Sequence, residues 1–257
     1  MSNFDRNAAP WSRSYGRTGA EVDQGLRAFM LGVYNNMSIG LALTGLVALG
    51  ANMLTVAHAP TAYHVGSIYL TDIGAALYLS PLRWVVMFAP LAFVMFFSFK
   101  INSMSASSAR SLFFAFAAVM GLSMSSILLI YTGASVTRAF FITAASFGAL
   151  SLYGYTTKRD LGPLGSFLIM GVIGVLIAGL VNLFVQSSAF QMGLSALTVL
   201  IFAGLTAYDT QAIKAMYFES DGYEVATKKS INGALMLYLD FINIFTSLIQ
   251  LTGQRNN

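Results

Sequence analysis

Two acidic residues stand where the chain is otherwise apolar. Asp240 sits in Leu237-Tyr238-Leu239-Asp240-Phe241-Ile242-Asn243-Ile244-Phe245, and Asp209 in Gly204-Leu205-Thr206-Ala207-Tyr208-Asp209-Thr210-Gln211. If these runs cross a bilayer, an isolated carboxylate at mid-span costs at least about 2.5–3.5 kcal/mol on insertion scales. Such a group must be protonated, paired or wet. Asp240 lies about 16 Å along a helix from Lys229, and Asp209 about 7 Å from Lys214. A snorkelling Lys214 or a tilted helix closes that difference in depth. Asn243 shares a helical face with Asp240, and Tyr208 and Gln211 flank Asp209 as supporting polar groups. Consecutive helices joined by a modest loop run antiparallel, so the two carboxyl groups can meet. Two carboxylates in one low-dielectric place do not both ionise cheaply, and one shares or keeps a proton. That is the chemistry of a proton sensor. When both ionise, repulsion loosens the contact, and the freed oxygens suit transient contact with a hard cation such as Ca²⁺. Lys100, on the same side of the membrane, is a candidate latch for the pair. The plain alternatives are an interhelical hydrogen bond for Asp240, a helix end near water for Asp209, and a lipid-boundary marker for Lys100.

The elements that must hold these residues follow from composition. The 257 residues are 56% hydrophobic and 9% charged, with a mean hydropathy of +0.69. Soluble domains carry about 25% charge, so the chain lacks the charges to cover a water-facing surface. Disorder, which needs low hydrophobicity, is excluded too. Cysteine is absent, which removes disulfides, thiolate metal sites and a Cys nucleophile. Basic residues are scattered between apolar runs with no aromatic platform, so no nucleic-acid partner is expected.

A bilayer core takes roughly 20 apolar residues per helix. On that measure the spans are 28–57, 84–99, 111–131, 139–157, 164–185, 190 to at least 208 with helix continuing towards 218, and 231–251. Residues 61–81 form an outer loop with room for a short surface helix. Uncharged runs this long satisfy their backbone only as helices, and they lack the alternating segments of a barrel. The reading is an all-α membrane protein of seven transmembrane helices (28–257) after a polar, disordered cytoplasmic tail (1–27). A signal peptide is disfavoured, because the polar start is too long and the apolar run about twice the usual 7–15 residues. Seven spans place eleven Lys and Arg on one side and three (Arg83, Arg138, Arg255) on the other. The positive-inside rule then puts the N-terminus in the cytoplasm and the C-terminus outside. Gly171, Gly174 and Gly179 are expected as close-packing points, and His58 and His64 as solvated loop residues.

Other activities fit less well. An intramembrane aspartyl protease uses two such carboxylates, but the Gly-x-Gly-Asp element of presenilin-like enzymes is replaced here by Leu237-Tyr238-Leu239-Asp240. A retinal protein needs a lysine in the last helix, and 231–251 has none. P-loop, GxSxG and zinc-spaced His motifs are missing. No enzyme activity and no resident cofactor are expected.

The segments Phe202–Lys214 and Leu237–Phe245 together resemble the Bax inhibitor-1 (transmembrane Bax inhibitor motif) family, as bacterial members carry it. Gly121-Leu122-Ser123 and Lys158-Arg159-Asp160-Leu161 are lesser matches. The resemblance implies a seven-helix fold with the seventh helix central and wrapped by the other six. It also implies a proton-sensitive calcium leak in the bacterial inner membrane, gated by a paired aspartate that falls on Asp209 and Asp240. The latch cation falls on Lys100, where bacterial leak members carry Arg; Lys makes no bidentate fork with a carboxylate. The partners implied are the lipid bilayer, calcium ions and protons. The alternative is a regulatory protein that modulates a membrane-bound ATP-dependent protease or a stress response without moving ions.

Overall fold

The computed structural model describes residues 19–101 and 103–256, with side chains from residue 24. The chain order is α1 (Gly19–Thr55), β1 (His64–Val65), β2 (Ile68–Tyr69), α2 (Asp72–Tyr78), α3 (Leu82–Lys100), α4 (Ala106–Ile130), α5 (Gly133–Thr156), α6 (Gly162–Val185), α7 (Ser188–Ala215) and α8 (Tyr223–Thr252). Among the described residues, seven of these helices (all but α2) are long and apolar enough to cross a membrane. The protein is an all-α integral membrane protein.

Boundaries follow local chemistry. Side-chain oxygens of Ser105, Thr132 and Ser187 cap α4, α5 and α7, each satisfying a helix-start N–H that has no partner in the helix. Pro163 opens α6, where its missing N–H costs nothing, and Gln186 ends it in the left-handed conformation. Pro90 lies inside α3, a placement that membrane helices tolerate when neighbours absorb the freed carbonyl. The outer loop holds α2, as expected, and a two-residue-turn hairpin in which His64 pairs with Tyr69. Gly66 turns it with φ +57°, the positive φ such hairpins require.

The helices overrun the apolar runs. The last one starts at Tyr223 rather than Ile231, because Glu224, Lys228 and Lys229 are good helix formers even though they mark the edge of lipid. α1 starts at Gly19, ahead of the apolar run at Ala28; residues 1–18 of the tail lie outside the described residues. α7 stops at Ala215, short of the expected continuation to Phe218. There the Met216 N–H bonds to Ala212 and Ile213 together, a tightened last turn.

α8 is the most buried span. It packs on α1, α4, α5 and α7. α3 packs on α4, and α6 on α7, so these two helices form an outer layer rather than part of a six-helix wrap around α8. Tyr238 of α8 is fully buried at the heart of the core, edge-on to Phe113 and Phe116 at 5.7 and 5.6 Å, a favoured aromatic geometry.

Candidate functional site

α7 and α8 run antiparallel through a shared face. This places Asp209, in the second-last turn of α7, against Asp240 near the middle of α8. Asp240 is 3% exposed and Asp209 half-buried. Their carboxyl groups lie within hydrogen-bonding reach of each other. Such a contact is a hydrogen bond only when one of the two holds a proton, since ionised carboxylates are acceptors alone. The buried Oδ2 of Asp240 accepts no hydrogen bond from any described donor. Neither aspartate forms an ion pair among the described residues. Two acids meeting inside apolar spans is the arrangement the spacing anticipated.

The other candidates are placed differently. Lys100 is exposed at the end of α3, and that helix packs on α2 and α4. It forms no ion pair among the described residues, so the structure does not bring it to the carboxyl pair. Asn243 turns back on its own helix, donating to the Leu239 carbonyl at 2.8 Å. Gln211 accepts from Leu161 N–H and donates to the Arg159 carbonyl, both at 2.8 Å, and so ties the α5–α6 turn to α7. Tyr208 packs its ring on Gly165, where a Cβ would overlap the ring. Lys214 donates to the Tyr155 carbonyl at 2.9 Å and lies 5.0 Å from that ring's centroid. It is thus anchored to α5 rather than to Asp209.

Two sets of hydroxyl contacts on the helices that carry the pair were not anticipated. The Tyr238 hydroxyl meets Thr44 Oγ1 at 2.6 Å, and Thr44 donates onward to the Ala117 carbonyl at 2.9 Å. The Tyr34 hydroxyl meets Ser151 Oγ at 2.6 Å, which meets Thr210 Oγ1 at 3.0 Å. Thr210 donates to the Thr206 carbonyl at 2.7 Å. The available signal was Ser, Thr and Tyr within apolar runs. In a helix such hydroxyls bond their own backbone as readily as a neighbour, so sequence alone could not assign partners.

Among the described residues no cluster of three or more His, Cys, Asp or Glu gathers. Two carboxyl groups supply too few oxygens for a resident Ca²⁺, which takes six to eight.

The comparisons with known proteins agree with this architecture. The family model described as inhibitor of apoptosis-promoting Bax1 matches residues 26–257. An uncharacterized protein of Rickettsia prowazekii is 43% identical over 235 residues, covering 91% of this chain and 93% of its own. An uncharacterized protein of Caulobacter vibrioides is 40% identical over 254 residues, 98% of each chain. The Escherichia coli inner membrane protein YbhL is 41% identical over 234 residues, 90% of this chain and 93% of its own. With an aspartate pair between the last two of seven apolar spans and a family match over nearly its whole length, the chain belongs to the Bax inhibitor-1 family.

Proposed function

We propose that the protein is a pH-sensitive cation leak, with Ca²⁺ as cargo, in which Asp209 and Asp240 form the proton-sensing gate. Its place in this reading is the bacterial inner membrane, N-terminus in the cytoplasm. The observation that carries it is the carboxyl–carboxyl contact between α7 and α8. While one proton is shared, the contact is cohesive and the seam is closed. When that proton leaves, two like charges face each other at low effective dielectric, where repulsion is several-fold stronger than in water. The seam then opens, and the oxygens face a cation path. Charged groups on the packed elements do not offset the repulsion. Lys214 is engaged on α5, Arg27 of α1 stands at the rim of the crevice between α1 and α5, and among the described residues neither forms an ion pair with the carboxyl groups.

The test is Ca²⁺ flux into proteoliposomes between about pH 6 and 8. A single-proton gate changes flux by at most about tenfold per pH unit, and flux should rise with pH. Asp240→Asn and Asp209→Asn keep the shape but not the second charge, and each should flatten the profile to less than about twofold over that range. A profile untouched by either substitution removes the gate.

A further inference from the structure

Below the pair, α1 and α5 are not packed along their length. They are joined by the Tyr34–Ser151 hydrogen bond, and between them lies a crevice of about 500 Å³. Its rim carries Arg27, near the start of α1, and Tyr155, in the last turn of α5. Its inner floor, on the side towards Thr210 of α7, is the Tyr34 and Ser151 hydroxyls, and its walls are apolar, with Leu31, Phe147, Gly148 and Leu152 among them. Nothing stands within 4 Å of where a Gly148 Cβ would be, so no neighbouring side chain closes the crevice at that turn of α5.

The floor is polarised. Thr210 spends its one proton on the Thr206 carbonyl. Ser151 must therefore donate to Thr210, and Tyr34 to Ser151. The Tyr34 oxygen is left with only lone pairs for the crevice, an acceptor at the foot of a cavity whose mouth holds a guanidinium. Acyl chains supply no donor for that oxygen; water does, and the space far exceeds what one water needs. The hydroxyl chain ends on Thr210, the residue after Asp209. We propose that this crevice is a hydrated inlet, entered from the side that holds the start of α1, through which protons and cations reach the Asp209–Asp240 pair. The Tyr34–Ser151–Thr210 bonds form its closed floor. The route rests on the leak reading; the hydration does not.

Because the chain contains no cysteine, single cysteines report cleanly. Gly148→Cys lies in the crevice and Met170→Cys on the lipid-facing α6, each eight residues into its span, counted from Thr156 and Gly162 respectively. Leu31→Cys is a second crevice position should Gly148→Cys fail to fold. In sealed vesicles, a charged, membrane-impermeant methanethiosulfonate should modify the crevice thiol from the α1-start side only. The rate should exceed that at Met170→Cys by more than about tenfold, since both the reagent and the reactive thiolate need water. Equal, slow rates, with reaction only by a lipid-soluble maleimide, would mean that acyl chains fill the crevice and would overturn the inlet. Modification should then lower Ca²⁺ flux at least about threefold, the inlet being in series with the gate. A labelled crevice with undiminished flux overturns the route while the leak stands. Absence of flux in the unlabelled protein overturns the leak and the route together, and the thiol rates still decide whether the crevice is wet.

Discussion

At the scale of single residues, the strongest constraint is that a polar atom buried in this bundle has few alternatives. Tyr238 and Thr44 show how unequal the two ends of one hydrogen bond can be. The one hydroxyl proton of Thr44 is shared between the Gly40 and Ala117 carbonyls, so the Tyr238 hydroxyl is the donor in their contact at 2.6 Å. Tyr238→Phe removes that donor and leaves an acceptor oxygen on a threonine already bonded elsewhere, a loss of about 1 kcal/mol. Thr44→Val keeps the size but strands a fully buried phenol, at about 1–3 kcal/mol. Thermal unfolding in detergent should therefore rank Thr44→Val below Tyr238→Phe. The reverse order would mean that the phenol finds another acceptor. Asp240 is the same problem with an ionisable group in place of a dipole, and among the described residues the carboxyl group it meets is that of Asp209. That partnership was legible in the sequence because acids are so rare in apolar runs. The hydroxyl partnerships were not, since Ser and Thr are common there and satisfy themselves locally.

At the scale of elements, close approach decides which helices can carry the site. A Cβ on Gly154 would collide with the Ala207 carbonyl, so α5 crosses α7 backbone to backbone two residues before Asp209. Gly121 meets the Thr44 carbonyl in the same way, setting α1 on α4. Gly154→Ala should cost about 1–3 kcal/mol, because backbone cannot step aside as a flexible side chain can. Gly148→Ala, in open space on the same helix, should be neutral or stabilise by up to about 1 kcal/mol. Melting temperatures of the two variants check this, and similar shifts in both would show that the crossing is not tight. The expected close-packing glycines are only partly so. Gly171 touches the Ile201 side chain, Gly179 makes ordinary contact with Leu194, and Gly174 faces open space. A glycine in an apolar run tells that something approaches closely or nothing does, and composition alone does not separate the two. Helix existence was readable because lipid forces it. Helix ends were not, because the helix formers of 223–230 extend α8 past the apolar limit that marks the membrane.

At the scale of the whole molecule, the layered packing says how a gate between α7 and α8 would move. α5 and α6 both pack on α7, and α6 faces lipid over most of its surface, so α5, α6 and α7 form one body. α1 and α4 share the most extensive helix contact in the bundle and form another, with α8 between them. Repulsion between Asp209 and Asp240 then acts on the seam between α7 and α8, and the body of α5, α6 and α7 is the part that swings, since lipid yields where packed helices do not. The absence of cysteine allows paired spin labels to measure this. Labels at Leu164 on α6 and Val225 on α8, both exposed, straddle the seam on the side where the two helices start. Labels at Leu31 and Arg110, also exposed, report the α1–α4 body. As pH rises from about 6 to 8, the first distance should lengthen by roughly 2 Å or more while the second stays fixed. Asp240→Asn should abolish the first change without altering the second. Equal movement of both pairs would mean that the bundle loosens as a whole, and no movement of either would leave the carboxyl contact a structural hydrogen bond rather than a hinge.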